Sequence, residues 1–190
     1  MTRAQFAATL RWEDRSRNRR TEDFAAITDD GRVNPLGNPV IRRRRDQVVM
    51  NSALVPRNAV LTHNHPWSEG MGTGLGSRVG VSLSGADLRV AVNTNAKEIR
   101  AVTSNYIYSL KRPASGWNAS GTQLKSEMDE LYARNLRDMQ TTIRRLQQTR
   151  GLTRQELEVR MGRINALASH QAIREVARRH GIRYTRRRSS

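Results

Sequence analysis

The stretch Ala59-Val60-Leu61-Thr62-His63-Asn64-His65-Pro66 decides how this chain is read. A short apolar run stops abruptly at two histidines, as a buried strand does when it delivers its last residues to a site. Side chains alternate across a strand, so residues i and i+2 point the same way. His63 and His65 therefore share one face, and both imidazoles can reach a single metal at about 2.0–2.1 Å, the usual zinc–nitrogen distance. Further on, Ser84-Gly85-Ala86-Asp87 opens a helix, with a serine N-cap and an acid three residues later. Leu88, Val90, Ala91 and Val92 carry that helix to about Asn95. Asp87, in its first turn, offers a third, oxygen ligand. Three protein ligands leave a fourth position for water, the arrangement of catalytic zinc. Zinc lowers the pKa of such a water to about 7.

Activating a water also requires a group that accepts its proton and later protonates the leaving group. Glu22 is the candidate, because it precedes a strand over residues 24–28 that ends in the turn sequence Asp29-Asp30-Gly31. Glu13 is a second upstream acid, and Glu69 a third acid near the motif. The hydroxyl of Ser84 can stabilise an oxyanion while also capping its helix.

Outward from this centre, residues 98–103 and 106–110 read as paired strands around Ser104-Asn105. Residues 34–39 form a loop, and the four arginines at 42–45 a solvated face. Residues 67–83, rich in glycine and serine, form a long loop. It matches a phosphate-binding glycine loop weakly, since no strand–loop–helix unit frames it. Residues 113–121 are a linker. Beyond it Leu124, Met128, Leu131, Leu136, Met139, Ile143 and Leu146 follow helical spacing, and Gly151 is a C-cap. Thr153-Arg154-Gln155-Glu156 is the capping box of a second helix whose inner face is Leu157, Met161, Ile164, Ala168, Ile173 and Val176. Gly181 ends it, and residues 182–184 form a last short strand. His170 and His180 fall on different faces of this helix and read as packing or surface residues, not ligands. Trp67 either walls the metal motif or anchors its loop.

The motif resembles that of the JAMM/MPN-type zinc metalloproteases, whose pattern is Glu … His-x-His-x-Pro … Ser-x-x-Asp. It is also similar to the RadC-like proteins and to phage-encoded and toxin-associated variants, through Thr62-His63-Asn64-His65-Pro66, Ser84-Gly85-Ala86-Asp87-Leu88 and Glu98-Ile99-Arg100-Ala101-Val102-Thr103. The likeness covers about residues 20–112. It implies an α/β fold with a curved mixed sheet and flanking helices. It implies Zn2+ held by His63, His65 and Asp87, with Glu22 as general acid/base and Ser84 as oxyanion stabiliser. The implied activity is hydrolysis of a peptide or isopeptide bond. Eighteen residues separate His65 from Ser84, more than the family's usual step, which implies a lid or substrate-guiding insertion.

The expected organisation is a basic lead-in (1–20), a hydrolase core (21–112) with its insert (67–83), a linker (113–121), a basic helical hairpin (122–181), and a short strand with an arginine-rich tail (182–190). Of 190 residues, 34 are Lys or Arg and 17 Asp or Glu, for a net charge of +17. Residues 141–190 alone hold 13 basic and 3 acidic groups. A pole of that kind favours nucleic acid or an acidic protein as partner, and the hairpin could also pair two copies of the chain. The absence of cysteine excludes disulfide scaffolds, cysteine-ligated zinc and thiol nucleophiles. No apolar run approaches the roughly 18 residues of a membrane span, and the expected location is the cytoplasm, or a virion for a phage-encoded chain. The alternative function is a non-enzymatic or RadC-like phage or virion protein whose basic half binds nucleic acid or an acidic protein.

Overall fold

Two sets of alternating residues build one sheet between two helical layers. The computed structural model describes residues 1–19, 21–43, 48–65, 82–151 and 153–189. Strands β1 (Phe24–Ile27), β4 (Val60–Asn64), β5 (Glu98–Val102), β6 (Tyr106–Lys111) and β7 (Arg183–Arg188) pair in the order β1-β4-β5-β6-β7. Only β4 and β5 run parallel. Parallel neighbours need a crossover, and helix α2 (Gly85–Asn93) lies on it. A separate ribbon pairs β2 (Val40–Arg43) with β3 (Val48–Met50). The Asp29–Asp30–Gly31 turn forms as its sequence suggests, with Gly31 at φ +84° and a bridge between Ile27 and Val33 beyond it.

On one face of the sheet, Ala25, Ile27, Val102 and Ile107 pack against Ala8 and Trp12 of α1 (Arg3–Ser16). The basic lead-in is therefore a helix docked on the sheet. Gln5 donates to the Ile27 carbonyl at 2.8 Å. Glu13, 1% exposed, accepts from Thr62 at 3.2 Å and from both Nε (2.5 Å) and Nη2 (2.9 Å) of Arg100. Arg100 also donates to Glu98 at 2.9 Å, and Ser109 donates to the same oxygen at 2.7 Å. These buried charges keep hydrogen-bonded partners, which burial of an ion demands.

The other face carries the main core. Phe24, Ala26, Leu61, Ile99, Ala101, Tyr108 and Leu110 meet Leu88 and Ala91 of α2. The same core includes Leu124, Met128 and Leu131 of α3 (Gly121–Arg150), and Ala172, Ile173 and Val176 of α4 (Arg154–Arg179). The caps read from sequence are present: Gly151 is left-handed at φ +59°, and Thr153 and Glu156 form a capping box. The expected last strand at residues 182–184 forms, and runs longer, from Arg183 to Arg188. Both helices contribute to the sheet's own core, and Arg186, Arg187 and Arg188 pair with β6 as part of β7. His180 meets Glu127 at 2.7 Å and His170 meets Tyr184 at 2.8 Å, so both are packing histidines as expected. No helix among the described residues is long and apolar enough to cross a membrane.

Candidate metal centre

Strand β4 delivers the two histidines as its parity requires. His63 lies in the strand, opposite Phe24 of β1 and Ala101 of β5, and His65 follows its end with its amide bonded to the Val102 carbonyl at 2.9 Å. Their Nε2 atoms are 2.9 Å apart. Glu22, His63 and His65 each offer a ligand atom, all within 4.8 Å of one another. Asp87 meets this group at His63, with Oδ1 3.3 Å from Nε2. Two ligands of a tetrahedral zinc at about 2.05 Å would lie about 3.3 Å apart. The donor types and these spacings fit such an ion.

Helix α2 aims Asp87. Its Oδ2 accepts from the Ser84 amide at 2.6 Å and from the Ser84 hydroxyl at 2.7 Å, while the Asp87 amide donates back to Ser84 Oγ at 3.3 Å. One carboxylate oxygen is thus fixed in the cap and the other faces His63. The single hydroxyl proton of Ser84 is committed to Asp87, so an oxyanion role requires that bond to open first. Two glycines set where α2 sits. A Cβ on Gly85 would lie 2.9 Å from the Lys125 carbonyl oxygen of α3, and one on Gly121 would lie 2.9 Å from the Arg89 carbonyl oxygen of α2.

Asn64, between the histidines, belongs to the opposite parity of the strand. Its Oδ1 accepts from the Asp23 amide at 2.7 Å and its Nδ2 donates to the Thr21 carbonyl at 3.0 Å. These bonds clamp the backbone on both sides of Glu22 and hold that carboxylate toward the histidines. Strand alternation around a His-x-His pair was the available signal: the middle residue must serve another partner. Glu13, the other upstream acid, lies on the far face of the sheet in its Arg100 pairing and is remote from this chemistry. Residues 66–81, with Trp67 and Glu69, lie outside the described residues.

Burial, opposed by the nearby Asp87 charge and aided by His65, lowers the pKa of His63 to about 4. The ring is therefore neutral at physiological pH, as a metal ligand must be. Its Nδ1 has no hydrogen bond of normal geometry, though the Arg100 backbone faces the ring and favours its protonated form. Burial alone would raise Asp87, but its interactions with the neighbouring His63 and His65 imidazoles and the Ser84 hydrogen bonds hold it below the usual carboxylate range. The site thus presents neutral nitrogen and anionic oxygen donors together. Comparisons of the chain with family models, with curated proteins and with solved structures return no match.

Proposed function

We propose that the chain is a zinc-dependent hydrolase of peptide or isopeptide bonds, of JAMM/MPN type. The observation that carries this reading is the convergence of the two Nε2 atoms, 2.9 Å apart, with carboxylates of Glu22 and Asp87 beside them. The order of these residues along the chain, and the strand and helix that present them, also support the family's version of a mixed sheet. His63, His65 and Asp87 would hold the ion. Zinc supplies a Lewis acid that polarises a carbonyl and makes a water nucleophilic near neutral pH. Glu22, held by Asn64, takes the proton from the attacking water and returns it to the leaving nitrogen. Ser84 keeps Asp87 oriented while that happens. Burial of His63 at 2% exposure excludes bulk water from behind the ligands.

Elemental analysis of the purified chain tests the assignment. One zinc per chain is expected, and a His65→Ala chain that still holds stoichiometric zinc overturns it. Glu22→Gln should retain zinc while cleavage of a peptide library, read by mass spectrometry, falls by about 10²–10⁴. If Glu22→Gln instead ejects the metal, Glu22 is a ligand and not the proton carrier.

A further inference from the structure

We infer that the cleft between α4 and β7 is a phosphate site that takes the backbone of a single-stranded nucleic acid. The cleft encloses about 410 Å³, and its polar lining is His170, Arg174, Arg178, Tyr184 and Arg186. It does not belong to the metal centre. His63, Ala101, Tyr108 and Arg186 occupy one transverse row of the sheet, which puts three strand spacings, about 14 Å, between the histidine and the arginine.

The cations converge without acids to answer them. Arg178 is bridged to Glu175 at 2.8 Å, but neither Arg174 nor Arg186 forms an ion pair among the described residues. Both bear on His170: burial first, then the charges of Arg186 and Arg174, hold the ring's pKa below its ordinary value. The cleft therefore gathers two uncompensated guanidinium groups beside a neutral imidazole and a phenol. Burial pushes the Tyr184 phenol well up, so its hydroxyl keeps its proton and is held 2.8 Å from His170 Nδ1. Such a concavity is incomplete until an anion enters it. Guanidinium forks match phosphate oxygens.

Two features favour a strand of nucleic acid over a free ion or an acidic peptide. By strand alternation Arg188 shares the face of Arg186, about 7 Å further along β7 at the usual strand rise, while Arg183 and Arg187 take the other face; none of the three forms an ion pair among the described residues. That suits a polymer with a charge on every repeat. Arg186 also lies over the ring of Tyr106, 5.0 Å from its centre. Paired guanidinium and aromatic surfaces are what bases stack on in sequence-tolerant single-strand binding. Shielding the sheet edge from other strands, the usual task of charge on an edge strand, needs only the arginines that point away from the cleft.

Fluorescence anisotropy of the full chain with a short labelled single-stranded DNA, titrated against salt, tests this. The variant pair Arg174→Gln/Arg186→Gln should weaken binding about tenfold or more. It should also flatten the log–log salt slope by about 1.4, two phosphates at about 0.7 each on a single strand. Arg174 and Arg186 are exposed, so the pair leaves the core intact, and the far-UV spectrum should be unchanged. A control pair, Arg134→Gln/Arg144→Gln on exposed positions of α3, removes the same charge elsewhere and should change affinity by less than about threefold. Equal losses from both pairs would reduce the effect to bulk charge and overturn the site. So would no binding at low salt, or polyglutamate binding as tightly as DNA with the same dependence on Arg174 and Arg186.

Discussion

His63 folds as a neutral ring, and that has a thermodynamic consequence. Its pKa is about 4 in the fold against 6.5 for the free side chain. Below pH 6.5 the unfolded chain binds a proton that the folded chain refuses. Stability is therefore complete above about pH 6.5 and declines as pH falls toward 4, by about 3 kcal/mol in all. Metal-free protein, prepared by chelation, should show a falling urea midpoint across that window, and a His63→Gln chain should show a flatter curve. Identical pH profiles for the two chains would mean that the loss comes from other groups. The parity of His63 and His65 was legible in sequence because period-two alternation needs no tertiary knowledge. So was the Ser84–Asp87 cap, a local hydrogen-bonding pattern. Asn64 was not, because its partners Thr21 and Asp23 are brought to it only by the pairing of β1 with β4.

At the scale of elements, α1 shows how a helix hides. Its buried positions are Gln5, Ala8, Thr9, Trp12, Glu13 and Ser16, spaced as one helical stripe. Four of those six side chains are polar, so a search for apolar periodicity passes over them. They can be buried only because the sheet supplies Ile27, Thr62 and Arg100 as partners. Helices α3 and α4 were legible because their stripes are apolar and their caps local. The contact of α2 with α3 makes a sharper claim. Gly85 and Gly121 each open a helix against the backbone of the other, and a backbone carbonyl cannot swing aside as a side-chain tip can. Gly121→Ala should therefore lower stability by about 1–3 kcal/mol, the usual range for overpacking. That exceeds the propensity gain from alanine, at most about 1 kcal/mol. The thermal midpoint should drop by about 2–4 °C for each kcal/mol. A raised midpoint would mean that the two helices part freely.

At the scale of the whole molecule, the basic half and the sheet are one folding unit. A division after residue 121 follows naturally from the change of period and the Ser- and Gly-rich stretch before it. Sequence cannot show that Leu124, Ile173 and Val176 fill the same core as Leu61 and Ile99, since that depends on which face of the sheet the helices cover. A chain ended at residue 121 would lose β7 and the cover over Tyr108 and Leu110. It should be unfolded by circular dichroism and hold no zinc. A truncated chain with a cooperative melt would restore the view of the hairpin as a separable arm.

The chain leaves the sheet at the end of β6, runs out along α3, turns at Gly151, and comes back along α4 to lay β7 beside β6. The turn at Gly151 is exposed and lies between two helices that each carry their own cap. Continuity of the polypeptide at that point is therefore dispensable once the fold has formed. A break there would divide the sequence into two complementary fragments, 1–151 and 152–190, the second contributing a helix and the final strand to the first. Co-expressed as separate genes, the pair should assemble into one particle, and new termini could be opened there for fusion or circular permutation without disturbing the metal centre.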